Sequence, residues 1–210
     1  MSAHGPASNG WVIYADDSLV VANKPAGLLS VPGRTESDCL AARVQSEYPD
    51  ALVVHRLDQA TSGLMVFARG KANERHVSKQ FQARTVRKRY EALVVGHVRD
   101  VQGVIALPLA ADWPSRPLQK VDLENGKPSR TRWRVMAYDA SADCTRLALE
   151  PETGRTHQLR VHLQAVGHSI VGDRLYAGPE APRLMLHAYA LGIAHPETGE
   201  AMHWESAAPF

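Results

Sequence analysis

Between two apolar runs, Leu52-Val53-Val54 and Leu64-Met65-Val66-Phe67, the chain carries the polar string His55-Arg56-Leu57-Asp58-Gln59-Ala60-Thr61-Ser62-Gly63. Apolar runs of this length read as short buried strands, so the string between them reads as a bend held by buried structure on both sides. One carboxylate, Asp58, is thereby fixed on a scaffold two residues from a guanidinium, Arg56. A carboxylate held beside a cation can remain ionised and act as nucleophile or base. A loop aspartate also commonly caps a backbone N–H. The string alone leaves both roles open.

Strand-like runs recur along the chain. Trp11 to Asn23 carries two of them around an Asp16-Asp17-Ser18 turn, and others are expected at 88–98, 103–110, 129–138 and 144–150. A Pro/Gly-rich loop, 111–128, separates the second and third of these. In 129–138, Thr131, Trp133, Val135 and Ala137 alternate with Arg130, Arg132 and Arg134, which predicts one buried and one basic face. Two late runs, 185–195 and 201–205, flank a turn at Pro196-Glu197-Thr198-Gly199. Helical spacing appears in three places. Thr35-Glu36-Ser37-Asp38 has a capping pattern ahead of Leu40, Val44 and Tyr48. Val77, Phe81 and Arg84 define an exposed amphipathic helix, and Leu159, Leu163 and Val166 a helix that ends at Gly167. Strands mostly follow strands, so the expected class is α+β around a largely antiparallel sheet, not a doubly wound fold. A flexible N-terminus over 1–10 and one domain over 11–210 are expected, long enough to bury a substantial core.

Composition narrows the setting. With 44% apolar and 22% charged residues the chain reads as a soluble globular protein. Met1 to Gly10 has no apolar segment of a secretory signal, and no run approaches the roughly 18 apolar residues of a membrane span. Cys39 and Cys144 form no C-x-x-C pair, consistent with reduced thiols in a cytoplasmic protein. Net charge is only +2, yet residues 69–89 hold eight Lys and Arg against Glu74 alone. Such a stripe is either a solvated helix face or a track for a phosphate backbone. Among the histidines, His157 with His162 and His195 with His203 could be named as metal ligands. No H-E-x-x-H or zinc spacing supports either pair, so no metal is expected. Gly126-Lys127-Pro128 is not a P-loop, and there is no dinucleotide fingerprint.

The string at 55–63 does not stand alone. Lys24-Pro25-Ala26-Gly27-Leu28 precedes it, and Arg89-Tyr90-Glu91-Ala92, Gly154-Arg155-Thr156-His157-Gln158-Leu159-Arg160-Val161-His162, Gly172-Asp173-Arg174-Leu175-Tyr176 and Leu186-His187-Ala188 follow in order. Together these segments resemble the motifs of the RluA-type pseudouridine synthases. Ser30-Val31-Pro32-Gly33-Arg34 and Asp112-Trp113-Pro114-Ser115-Arg116-Pro117 are similar to one subgroup, which modifies both a large-subunit ribosomal RNA stem-loop and a transfer-RNA anticodon stem-loop.

The resemblance implies a long, mixed, mostly antiparallel curved sheet flanked by helices, with a cleft across it. It leaves no room for a separate N-terminal RNA-binding module. It also implies a cofactor-free cytoplasmic isomerase with RNA as its partner, and a monomer is expected. Asp58 would be the catalytic aspartate, attacking C1′ or C6 or acting electrostatically. Arg160 would pair with Asp58, and Tyr90 would stack on the target uracil. Arg56 would enter the gap left by the flipped nucleotide. His55 would contact substrate, Val66 and Leu186 would line the pocket floor, and Arg84, Arg87 and Lys88 would hold phosphates. Read without the resemblance, Arg160 lies on a polar helix face with His157 and Gln164, and Tyr90 is a core aromatic. A non-catalytic RNA-binding protein on the same fold would be expected to lack Asp58, Tyr90 or Arg160, and all three are present.

Overall fold

The computed structural model describes residues 10–210, so the flexible stretch expected over 1–10 lies outside the described residues except for the exposed Gly10. In chain order the elements are β1 (Val12–Ala15), β2 (Leu19–Lys24), α1 (Leu40–Glu47), β3 (Ala51–Val53), β4 (Ser62–Arg69), α2 (Gly70–Ala83), β5 (Arg87–Val95) and β6 (Gln102–Ile105). They continue with β7 (Leu109–Ala111), β8 (Gln119–Val121), β9 (Thr131–Asp139), β10 (Cys144–Pro151), α3 (Gln158–Ala165), β11 (Leu186–Ala194) and β12 (Ala201–Glu205). The class is α+β. Two compact units are formed, one from residues up to 88 with 188–209, the other from 89–187 with Phe210.

In the first unit β1, β2, β4 and β11 lie side by side, β3 extends alongside β4, and β12 pairs with β11. The pairings β1–β2, β2–β4, β3–β4 and β11–β12 are antiparallel. The turn after β1 forms where expected because Asp16 Oδ1 accepts hydrogen bonds from the Ser18 and Leu19 amides at 2.8 and 2.7 Å. β4 is buried from Ser62 to Ala68, not alternately, as a strand covered on both faces should be. Val66, Leu64, Val21 and Leu191 form this core, with Val77 of α2 buried in it and Phe81 packed against it. The late hairpin closes at the expected turn, where the Gly199 amide donates to the His195 carbonyl at 2.9 Å.

The start of α1 corrects an expectation. Cys39, not Thr35, caps the helix, its Sγ accepting from the Ala42 amide at 3.3 Å. Asp38 is drawn instead to Arg43 in a two-pronged ion pair, at 2.7 and 2.5 Å.

In the second unit the strand order is β5, β10, β9, β6, all antiparallel, with β7 and β8 as a separate hairpin. The single strand expected over 103–110 is broken into β6 and β7. Pro108 lies in the break; it has no N–H to give a ladder, and its carbonyl accepts from the Asp122 amide at 3.0 Å. The loop expected over 111–128 accordingly contains β8. Along β9 the alternation holds from Thr131 to Val135 and then fails. A bulge opposite Arg146 and Leu147 inserts Met136, which leaves Ala137 exposed.

Candidate active site

The polar string at 55–63 forms the bend between β3 and β4, and buried polar contacts fix its backbone. Lys24, at the end of β2, is 0% exposed. Its ammonium donates to the carbonyls of Pro25, Leu28 and Gln59 at 2.9, 2.7 and 2.9 Å. The Lys24–Leu28 segment is thus tied to the residue that follows Asp58. Gly27 and Gln59 add a reciprocal pair: the Gly27 amide donates to the Gln59 carbonyl at 2.9 Å, and Gln59 Nε2 donates to the Gly27 carbonyl at 3.0 Å. On the other side of Asp58, Ser30 Oγ donates to the Leu57 carbonyl at 2.6 Å and accepts from the Leu57 amide at 3.1 Å. Both neighbours of Asp58 are therefore clamped, and the half-buried Asp58 is carried on a backbone with little freedom. Arg56, two residues earlier, is exposed.

At the exit of the bend, Gly63 adopts φ +118, and a Cβ there would lie 2.4 Å from the Ala188 carbonyl oxygen. Only glycine satisfies both demands.

His55 has a structural task in this bend. Its Nε2 accepts a hydrogen bond from the Val66 amide at 3.0 Å, and its ring stacks on Phe81 with centroids 4.7 Å apart. Burial, followed by the positive charge of Lys88, pushes its pKa down to about 3. At neutral pH it is an uncharged acceptor with its proton on Nδ1. Val66 is itself fully buried in the core.

The basic segment begins in α2, of which Val77 alone is buried. Arg84 ends the helix in the left-handed conformation at φ 59 and is exposed, as is Arg87. Lys88 is half-buried, and burial together with Arg84 lowers its pKa. A lysine in that position releases a proton more readily than one in water.

Tyr90, Arg160 and Leu186 belong to the second unit. Tyr90 is half-buried on β5, opposite Leu149 of β10. Leu186 opens β11 and is buried. Arg160 overturns the expectation of a polar helix face. Residues 158–163 of α3 are all buried, and His157 is not in the helix but precedes it in the left-handed conformation. Arg160 holds Asp173 through two bonds, Nε to Oδ2 at 2.8 Å and Nη2 to Oδ1 at 2.7 Å, with the Asp173 side chain 0% exposed. Asp173 Oδ1 also accepts from the Leu175 and Tyr176 amides. The guanidinium lies over the Tyr176 ring, 5.0 Å from its centroid. Two N–H bonds to one carboxylate fix the plane of a guanidinium as well as its position.

The histidines singled out as possible ligands have other partners. His157 Nδ1 meets Tyr176 Oη at 2.7 Å, and His195 meets Asp16. His203 meets Glu205. His162 is wholly buried between Thr131, Ser129 and the Leu107 carbonyl.

Sequence reasoning quoted Lys24, Ser30 and Asp173 inside motifs but gave them no task. The partners of Lys24 and Ser30 are backbone groups, which carry no side-chain signature. The Asp173 partner is thirteen residues away across an irregular loop.

The family described as RNA pseudouridylate synthase matches residues 18–165 of this sequence. The chain belongs to that family. The matched span takes in the Lys24 clamp, the Asp58 bend, β5 and α3, four of the six segments on which the resemblance rested; the segments at 172–176 and 186–188 lie beyond it. A curated relative from Escherichia coli, named dual-specificity RNA pseudouridine synthase RluA, is 50% identical over 218 residues, covering 100% of this chain and 99% of the relative. A Yersinia pestis protein of the same name is 50% identical over 205 residues, 95% of this chain and 99% of its own. Among solved structures, human RNA pseudouridylate synthase domain containing 1 superposes with a TM-score of 0.83 at 30% identity, covering 98% of this chain and 86% of that one. As a member of the family, the chain is an isomerase that makes pseudouridine in RNA.

Proposed function

We propose that this enzyme isomerises uridines in small RNA stem-loops of two kinds, a large-subunit ribosomal hairpin and a transfer-RNA anticodon stem-loop. The observation that carries this reading is end-to-end identity of about half the residues with proteins named for dual specificity. In the reaction the N1–C1′ bond of uridine breaks, C5 bonds to C1′, C5 gives up its proton and N1 gains one. The nucleoside gains and loses no atoms in net, the C5 hydrogen leaving to solvent as N1 takes one up, and no cofactor is consumed.

Asp58 serves as the carboxylate that attacks or stabilises the opened nucleoside, and the clamped bend holds it in place for this. Tyr90 stacks on the target base. Arg160, its plane fixed by Asp173, serves as the charge partner of Asp58 in the reaction. Arg56 fills the gap in the RNA stack, and His55 supports the bend from behind. Val66 and Leu186 supply apolar backing, and Arg84, Arg87 and Lys88 meet phosphates. The enzyme acts as a cytoplasmic monomer.

The test is tritium release from 5-labelled uridine in each synthetic hairpin, in excess chelator, with wild type and Asp58→Asn. Wild type should turn over both RNAs. The variant should bind them and release nothing. Turnover on one hairpin alone removes dual specificity. Substantial release by Asp58→Asn would falsify the role of the carboxylate.

A further inference from the structure

The loop between β7 and β8 contains a side-chain pair that takes no part in the site described above. Trp113 is 68% exposed, whereas the other three tryptophans are each half-buried. The guanidinium of Arg116 lies over its ring, 3.4 Å from the centroid. Single exposed apolar residues are ordinary and need no function. Three features set this pair apart.

The loop is ordered by its own backbone. The Asp112 amide donates to Leu118, that of Ser115 to Asp112, and that of Leu118 to Ser115, at 2.9, 3.1 and 3.0 Å. The indole is therefore held out in water by a closed turn.

Arg116 has no carboxylate partner among the described residues, so its charge is available. The hairpin also carries Lys120 and Lys127, both exposed. Of the nearby acids, Asp122 uses Oδ1 to cap the Glu124 and Asn125 amides. Glu124 is the exposed one.

The hairpin is tied to the helix that carries Arg160. The Gln119 amide donates to Tyr176 Oη at 2.8 Å, the same oxygen that meets His157 Nδ1 at the start of α3. Leu118 and Val121 pack against the Leu109, Val161 and Tyr176 cluster beneath.

An aromatic face with a cation stacked behind it suits a nucleobase. The base stacks on the open side of the indole, and the guanidinium strengthens the stack and reaches a phosphate. The exposed cations Lys120 and Lys127 on the same hairpin favour a polyanionic partner. Resting on the RNA-modifying function proposed above, we infer that Trp113 and Arg116 form a stacking site for an unpaired base of the substrate hairpin, separate from the target uridine.

The experiment measures anisotropy of a fluorescein-labelled anticodon stem-loop with wild type, Trp113→Ala, Trp113→Phe and Arg116→Gln, with tryptophan emission and tritium release followed in parallel. Loss of one stacked base lowers affinity by roughly 5- to 150-fold. Trp113→Ala should show a loss in this range, in Kd and KM alike, and Arg116→Gln a smaller one. Trp113→Phe should retain most of the affinity, because a phenyl ring still stacks. RNA should quench wild-type emission, and the quench should shrink in Trp113→Phe. Unchanged affinity in Trp113→Ala overturns the inference. So does a wild-type dimer that Trp113→Ala dissociates in sedimentation, since the pair would then belong to a second copy. Wild type that binds through Trp113 without releasing tritium would support the stacking site and remove the proposed reaction, so the two failures are distinct.

Discussion

Replacing Asp173 with Asn keeps the shape of the side chain and removes its charge. The amide oxygen can remain at the Oδ1 position and go on accepting from Arg160 Nη2 and from the Leu175 and Tyr176 amides. At the Oδ2 position an NH₂ group then faces the Arg160 Nε–H, donor against donor, where the bond now measures 2.8 Å. The guanidinium stays charged, and with only 5% of its side chain exposed it recovers little from water. Breaking one side of a buried pair typically costs 3–5 kcal/mol. Because three of the four bonds survive, the lower part of that range applies, about 3 kcal/mol. In a chain of 210 residues this lowers Tm by roughly 6–12 °C. Urea and thermal unfolding followed by circular dichroism measure it directly. The double variant Asp173→Leu with Arg160→Met should recover part of the loss, because both buried charges leave together. A loss below about 1 kcal/mol for Asp173→Asn would show that the pair contributes no more than a solvent-screened surface pair.

Acid should expose the role of His55. Its folded pKa, about 3, lies below the ordinary value of 6.5, so the unfolded chain takes up the proton first. The stability is therefore fully present above pH 6.5 and is lost as pH falls toward 3. Between pH 6.5 and 4.5 the loss is at most about 2.7 kcal/mol, at 1.36 kcal/mol per unit. His55→Gln should lack this component, and equal acid sensitivity of both proteins in urea titrations at pH 7.5 and 4.5 would sink it. The basic segment should set the salt dependence of RNA binding. Neutralising Arg84, Arg87 and Lys88 to Gln should flatten the slope of log affinity against log salt by about 2 to 2.7, at 0.7–0.9 per contact. An unchanged slope places the RNA elsewhere.

Some of this architecture is legible in the sequence and some is not. The late hairpin can be read because apolar runs and a Pro-Glu-Thr-Gly turn are local signals. The Asp58 bend can be read for the same reason. β7 and β8 are three residues each, too short and too polar around them to leave a periodicity. The Met136 bulge breaks an alternation that sequence alone extends to the end of β9. At α3, Arg160 looks like part of a solvated face, and Gln158 is polar too, until their partners are seen. Asp173 takes the first, while Thr153, the Arg130 carbonyl and Thr131 take the second. Polar residues buried with full partners defeat hydropathy reasoning, since patterning treats them as exposed.

The Lys24 clamp has a wider consequence. Three carbonyl oxygens converge on its nitrogen at 2.7–2.9 Å, the way oxygens converge on a bound cation. Here the cation is covalently part of the chain. Its occupancy does not vary with ion concentration, a chelator cannot strip it, and no competing ion can replace it at another radius. The aspartate bend is thereby assembled at the moment of folding and needs no later loading step. Methionine would fill the space and leave three oxygens facing one another. Arginine would bring a plane where an ammonium offers three divergent donors. Lys24-Pro25-Ala26-Gly27-Leu28 can thus be understood as carrying a built-in cation that ties the Asp58 bend to it through the Gln59 carbonyl.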